Sequence, residues 1–247
     1  FSYPEAVTRL LNGERGESQS RTQEPVSREK KEFVLPPASR DMRRTYAYLL
    51  GQRKIDRDVL SKFVRAGLIY ESAEPSADNS RTYHNAVFVG KDEQGVVRHA
   101  HKHGLYSSGP SFKRNVAGCD PRFSFHHMGL DSQLFVFEAP IDMLSFISLY
   151  PDDWTSHSYV SLCGTSSHAM LWMLEQNPNL LSVAFCLDND EAGIRATERL
   201  TKLLEDRGYN WVGSFSPFGF KDWNEVLQAQ WEQTQSQQAQ GSVLAMG

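Results

Sequence analysis

Two short stretches, about fifty residues apart, constrain the fold of this chain more than any other feature. Leu134-Phe135-Val136-Phe137 runs into Glu138, and Ser182-Val183-Ala184-Phe185-Cys186-Leu187 runs into Asp188, with Asp190 two residues further on. Neither stretch alternates polar with apolar residues. A strand that is apolar on both faces belongs inside a parallel sheet covered by helices on both sides. In such sheets the polar chemistry gathers beyond the carboxyl ends of the strands. Glu138, Asp188 and Asp190 are therefore expected to converge at one edge of one sheet.

Carboxylates drawn together repel one another, and their pKa values rise. A hard divalent cation relieves that repulsion. Mg²⁺ prefers oxygen ligands, retains several waters and takes one or two protein carboxylates together with substrate phosphates. The pattern thus points to phosphoryl transfer assisted by Mg²⁺, with Mn²⁺ as an alternative ion.

Around these two runs the chain alternates regularly. Strand 134–138 precedes a helix from Pro140 to Tyr150, with proline tolerated in the first turn. Strand 158–163 and Gly164 precede a helix from Ser166 to Gln176. Strand 182–188 precedes a helix from Glu191 to Arg207 closed by Gly208, and a last strand covers 211–216. This order predicts an α/β domain over 130–227, a Rossmann-like parallel sheet with right-handed crossovers and helices on both faces. A smaller mixed α+β module is expected over 33–129. It begins with a helix capped by Ser39, and a second helix starts near Asp56 and ends at Gly67. Strands follow at 68–70 and 85–90 with a polar loop 71–81 between them, and a turn at Asp92–Gly95 returns the chain along 96–103. Residues 1–32 fit a short amphipathic helix and a flexible linker. The stretch 228–247 holds seven glutamines between Gln228 and Gln240 and fits a frayed helix or a disordered tail.

Charge divides the same way. Residues 1–130 carry 21 Lys and Arg against 15 Asp and Glu, whereas residues 131–247 carry 5 against 15. A basic module beside an acidic one suits a polyanion held by one part and processed by metal in the other. The sequence shows no apolar run of bilayer length and no signal-peptide pattern, so a cytoplasmic monomer is expected. Cys119, Cys163 and Cys186 form no Cys-x-x-Cys pair, which fits reduced thiols and no zinc site in this segment. The first residue is Phe, so a longer polypeptide is expected.

Glu138 with Asp142 four residues on, and Asp188-Asn189-Asp190 followed by Ala192-Gly193, resemble the Toprim domain of bacterial replicative primases, type IA and type II topoisomerases and certain nucleases. Ser161-Leu162-Cys163-Gly164-Thr165 resembles the strand-then-Gly-Thr turn between the acidic motifs of the primase branch. Lys221-Asp222-Trp223-Asn224-Glu225 resembles its Lys-Asp-Pro-Asp stretch, with Asn224 where an acid is usual and Ala139 where glycine follows the glutamate. The hairpin from Phe88 to His101 and the basic segment from Phe112 to Phe123 resemble the amino-terminal part of the primase core. Residues 1–11 resemble the helix that trails its zinc ribbon. The helical subdomain that follows Toprim in replicative primases has no counterpart, so the chain is most similar to compact primase-like Toprim proteins of mobile elements.

The resemblance implies a nucleotidyltransferase acting on single-stranded DNA with nucleoside triphosphates. It implies zinc only in an upstream domain, and a helicase or relaxase of a mobile element as partner. A Toprim nuclease and a catalytically silent DNA-binding accessory are the alternative readings. Glu138 is then a general acid/base or a metal ligand, Asp188 and Asp190 are metal ligands, and Asp222 is a supplementary ligand. Each has a plainer reading: Asp190 as a helix cap, and Asp142 as either a supporting group behind the ligands or a helix-dipole partner. Lys113, Arg114, Arg122 and Lys221 are candidates for nucleotide or template phosphates, with the interleaved aromatics stacking bases. His99, His101 and His103 share one strand face; without a further ligand they are expected to form a polar face rather than a metal site.

Overall fold

The computed structural model describes residues 31–106 and 112–244, with side chains described as far as 238. The amphipathic helix and linker expected ahead of residue 31 lie outside the described residues. From Glu32 onward the chain forms one unit.

The first module is a four-stranded antiparallel sheet in the order β1 (Ile69–Pro75), β2 (Thr82–Lys91), β3 (Val97–Gly104), β4 (Lys113–Asn115). Two helices precede it. Helix α1 (Arg43–Tyr46) passes directly into a π-helical segment, Ala47–Gln52, and α2 spans Arg57–Arg65. Asp56 caps α2 by accepting from the N–H groups of Asp58 and Val59, and Gly67 follows its end at φ +66°. Ser39 is not a cap. Its N–H donates to the Glu71 carbonyl, Ala38 bridges Ser72, and α1 starts four residues later with no side-chain cap. The expected polar loop 71–81 is also shorter than the sequence suggested, because β1 continues to Pro75. Its polar residues have cross-strand partners: Glu71 meets the His84 ring at 2.8 Å, and Glu74 accepts from Lys102 at 2.8 Å. Paired polar groups let a strand continue where hydropathy alone predicts a loop.

The second sheet has the order β5 (His126–His127), β7 (Ser158–Ser161), β6 (Gln133–Phe137), β8 (Ser182–Phe185), β9 (Trp211–Ser214). Its pairs are parallel except β5 with β7, an antiparallel edge contributed from ahead of residue 130. Alternation along β6 assigns the two faces. Leu134 and Val136 pack with α4 (His168–Gln176) and α5 (Glu191–Glu205), while Phe137 packs with α3 (Pro140–Leu149) and the start of α6 (Trp223–Leu244). Burying both faces explains why, between Gln133 and Glu138 and between Ser182 and Asp188, these runs carry no polar side chain but the Cys186 thiol.

The α3 face is shared with the first module. Leu49, Leu60 and Phe63 belong to the same apolar core as Phe137, Met143 and Ile147. The two sheets are thereby fixed to each other, and Asn115 of β4 donates to the Cys163 carbonyl beyond the end of β7. Beyond Leu227, α6 continues through the glutamine-rich stretch to Leu244, held near its start by Gln228 donating to the Gln52 carbonyl and by Lys54 over the Trp231 ring. Among the described residues no helix is long and apolar enough to cross a membrane.

Candidate active site

Glu138 ends β6 and Asp188 follows β8 at the same edge of the sheet. Each keeps one buried oxygen, Oε2 of Glu138 and Oδ1 of Asp188, that no group of the protein satisfies. Burial, then the Asp188 and Asp190 charges, push Glu138 up to about 7, and Lys113 and Lys221 only partly offset them. Burial and the Asp222 charge push Asp188 up to about 6. Asp142, in the first turn of α3 and 4% exposed, is raised well above the carboxylate range by burial and by Asp222 and Asp188. One field therefore joins residues spread from 138 to 222.

Asp190 behaves differently. Its Oδ1 caps α5, accepting from Ala192 and Gly193 at 3.1 and 3.0 Å, and its Oδ2 lies 3.7 Å from Lys221 Nζ. The cap, above all the Gly193 N–H, lowers its pKa. The plainer reading of Asp190 as a helix cap thus describes one of its two oxygens. Gly193 makes the tight start of α5 feasible, since a Cβ there would stand 2.0 Å from the Asp188 carbonyl oxygen. Asp222 caps α6 in the same manner, its Oδ1 accepting from Glu225 N–H at 2.9 Å while Glu225 reaches back to Lys221 N–H at 2.8 Å.

The expected basic residues separate. Lys113 of β4 faces the acids, and its charge acts on Glu138, Asp142 and Asp188. The Lys221 charge also acts on Glu138, Asp188 and Asp190. Arg114 alternates with Lys113 along β4 and is exposed. Arg122 is engaged by Asp120, its Nη2 2.7 Å from Oδ2. Of the aromatics in this segment, Phe112 is exposed, whereas Phe123 and Phe125 are buried in the cores and have no face to offer a base. Beside Asp188 a hollow of about 180 Å³ opens toward Ile194, Thr197 and Phe215.

Asn224, in place of the usual acid, is buried and fully engaged. Its Nδ2 donates to the Arg53 carbonyl at 2.7 Å and to Ser145 Oγ at 2.9 Å, its Oδ1 accepts from Arg53 Nη1 at 3.1 Å, and its N–H donates to Asp142 at 3.3 Å. Arg53, the residue that follows the π-helical segment, also donates through Nε to the Tyr48 hydroxyl oxygen at 2.8 Å, and that hydroxyl in turn meets His103 Nε2 at 2.8 Å. The link joins residues 171 positions apart, and no local sequence pattern reports it.

Among the described residues no three His, Cys, Asp or Glu side chains already surround a point where an ion would sit. The donor chemistry nonetheless fits a hard cation. Two buried carboxylate oxygens without partners, in mutually repelling acids, are the groups such an ion satisfies.

Comparison with known proteins agrees with this geometry. Residues 135–227 match the Toprim-like family, and residues 47–131 match a family described as a protein of unknown function, DUF3991. An uncharacterized protein of Bacillus anthracis, pXO2-78, is 26% identical over 241 residues, covering 87% of this chain; the chain spans 64% of that relative's length. The primase fragment of the bacteriophage T7 primase-helicase superimposes with a TM-score of 0.54 at 17% identity, over 77% of this chain and 73% of that one. The E. coli primase catalytic core gives 0.51 at 16% identity, over 76% and 69%. A primase catalytic domain bound to single-stranded DNA gives 0.52 at 14% identity, over 77% and 71%. Residues 135–227 are a Toprim-like domain, and the chain has the fold of the bacterial and phage primase catalytic core.

Proposed function

We propose that this protein is a Mg²⁺-dependent nucleotidyltransferase of the primase type, joining nucleoside triphosphates on a single-stranded DNA template. The observation that carries the reading is the pair of unsatisfied buried oxygens on Glu138 and Asp188, both acted on by the charges of Lys113 and Lys221. Asp188, with Glu138 and Oδ2 of Asp190, would hold the ion, and Asp222 would support it. When bound, Mg²⁺ supplies neutralising charge for the phosphates and acidifies the attacking hydroxyl.

The remaining work falls to the chain itself. In its alternative role, with the ion left to Asp188 and Asp190, Glu138, pushed up to about 7, would accept a proton from a 3′ hydroxyl near neutral pH. Lys113 and Lys221, whose charges both act on Glu138 and Asp188, would orient the triphosphate as point charges. Burial, with the Asp222 and Asp188 charges, favours the protonated form of Asp142 and limits the negative charge behind the working acids. The template would run over the basic first module, where Arg114 and Phe112 are exposed. A helicase or relaxase of the same mobile element would be the protein partner.

The test supplies an unlabelled single-stranded oligonucleotide, labelled nucleoside triphosphates and Mg²⁺ or Mn²⁺, and resolves the products on a gel. Template-dependent short products, lost in Glu138→Gln, support the reading. Their absence with both metals rejects it, and cleavage of a labelled strand in a parallel reaction would mean a nuclease instead.

A further inference from the structure

Cys163 takes no part in the acid cluster, yet it occupies a place built around a thiol. It stands in the turn after β7 at φ +50°, one residue before Gly164. Asn115 of β4 ties that turn to β3. Its Nδ2 donates to the Cys163 carbonyl at 3.3 Å, and its Oδ1 accepts from His101 Nδ1 at 2.7 Å. That second bond places the ring proton on Nδ1 and leaves Nε2 as the basic nitrogen. His101 is 6% exposed, and its Nε2 is buried without a hydrogen bond of good geometry. The thiol of Cys163 is the ionisable group it faces, with Lys113 the other charged neighbour.

A cysteine at a strand end usually serves as a small apolar residue. The other two cysteines do: burial pushes the thiols of Cys186 and Cys119 up. Cys163 is the exception. Burial is the largest influence and acts in the same direction, but the His101 charge, together with hydrogen bonds from His101, Ser124 and Ser161 (its Oγ 3.6 Å from the sulfur), brings the thiol below its ordinary value. Cys163 is also partly exposed, whereas Cys186 is sealed in the core.

We propose that Cys163 is a modification site for hydroperoxides, with His101 as its proton partner and Asn115 as the residue that orients His101. Nucleophile, base and orienting amide are the parts an activated thiol requires. The thiolate sulfur attacks one peroxide oxygen, so that an S–O bond forms as the O–O bond breaks. The sulfur loses two electrons, the peroxide gains them, and the departing oxygen takes the His101 Nε2 proton to leave as water (or as an alcohol from an organic peroxide). The product is a sulfenic acid at Cys163. A consequence follows that rests on the primase reading. The oxidised side chain sits beside Gly164, whose N–H holds the Glu138 carbonyl at 3.1 Å. Crowding that turn displaces Glu138 and suppresses nucleotide joining.

The experiment treats the full chain with hydrogen peroxide in the presence of dimedone and quantifies labelling of each cysteine by mass spectrometry. Cys163 should label about tenfold faster than Cys119 and Cys186, and His101→Asn should cut that rate about tenfold. Equal rates at Cys163 and Cys119, or no effect of His101→Asn, overturn the proposal. Should that variant misfold, the pH profile of Cys163 alkylation by iodoacetamide in the native chain decides: a midpoint below about 8.5, the free-thiol range, supports it, and a midpoint at or above that value overturns it. In the nucleotide-joining assay, peroxide should inhibit the native chain reversibly with dithiothreitol, while Cys163→Ser keeps basal activity and resists. Labelled Cys163 with undiminished joining refutes the link to Glu138. An untreated protein that joins nothing sinks the primase reading, and the labelling rates still judge the thiol.

Discussion

The acid tip of the second sheet and the histidine row of β3 are both lines of buried ionisable groups, and they meet the loss of water in opposite ways. Removing water disfavours charge in either case. For Glu138 and Asp188 it raises the pKa, to about 7 and about 6, and mutual repulsion adds to the rise. For His99 and His103 it lowers the pKa, to about 4 and about 3. An imidazole escapes the penalty by shedding its proton, and His103 then settles against the Tyr48 hydroxyl at 2.8 Å. An acid escapes it by taking up a proton, but Glu138 at about 7 does so only in part at neutral pH and Asp188 at about 6 still less, so a cation is the remedy for the charge that remains. Burial alone therefore does not mark a functional site. Burial of like charges that stay partly ionised at working pH does.

The largest effect expected from this contrast is at Asp188. Asp188→Asn should lower template-dependent joining by about a thousandfold, the loss of one charge-stabilising group and its ion. The same change should stabilise the metal-free protein at pH 8. With a folded pKa above the unfolded one, Asp188 adds stability below about pH 4 and loses it as pH rises through about 6. A shift of roughly two units at about 1.4 kcal/mol each puts the gain at up to about 3 kcal/mol. Thermal melts beside kinetics make the check. A variant both inactive and less stable would make Asp188 a structural group and break the contrast.

Asn224 gives the next largest effect. Asn224→Asp restores the acid usual in the resembling motif, but it removes the Nδ2 donor from the Arg53 carbonyl and Ser145 and sets a carboxylate against Asp142. Urea unfolding should show a loss of about 3 kcal/mol at pH 7, shrinking toward pH 5 as the acids protonate. A neutral or stabilising result would mean that this corner already accommodates another negative charge.

These cases also show how far the sequence was legible. The unbroken apolar runs announced strands buried on both faces, and the abrupt carboxylates after them marked the edge where Glu138 and Asp188 meet. Gly193 after Asp190 marked the close start of α5. What could not be read depended on partners far apart in the chain. Glu71 and Glu74 looked like loop residues until His84 and Lys102 stood opposite them. Asn224 looked like a lapse from an acidic motif until Arg53, 171 residues earlier, was seen to grip it. The alternation of His99, His101 and His103 was visible, but not that Asn115 and Cys163 would single out the middle one.

The histidine side of the contrast is sharpened by His99, whose two ring nitrogens are buried without partners. Its folded pKa, about 4, lies below the unfolded value near 6.5, so its contribution is complete above about pH 6.5 and is lost as pH falls toward 4. The acids gain stability over part of the same range, which masks the effect in the native chain alone. The readout is therefore the difference between the native chain and His99→Leu. That difference should shift in favour of the variant by about 2 kcal/mol between pH 7 and pH 4.5. A constant difference would mean that His99 stays neutral in both states or finds a partner when protonated.

The smallest effect concerns the ion itself. Mg²⁺ at about ten times its dissociation constant should stabilise the protein by about 1.4 kcal/mol at pH 8, a rise of about 3–5 °C in melting temperature. At pH 5 the rise should nearly vanish, because Glu138 and Asp188, at about 7 and about 6, are then protonated and offer no charge. Lys113→Ala should enlarge the rise at pH 8, since Lys113 is a cation already partly answering the same acids. A rise equal at both pH values, or one that survives Asp188→Asn, would place the ion elsewhere on the acidic half and leave the repulsion at the sheet edge to be answered by the two lysines alone.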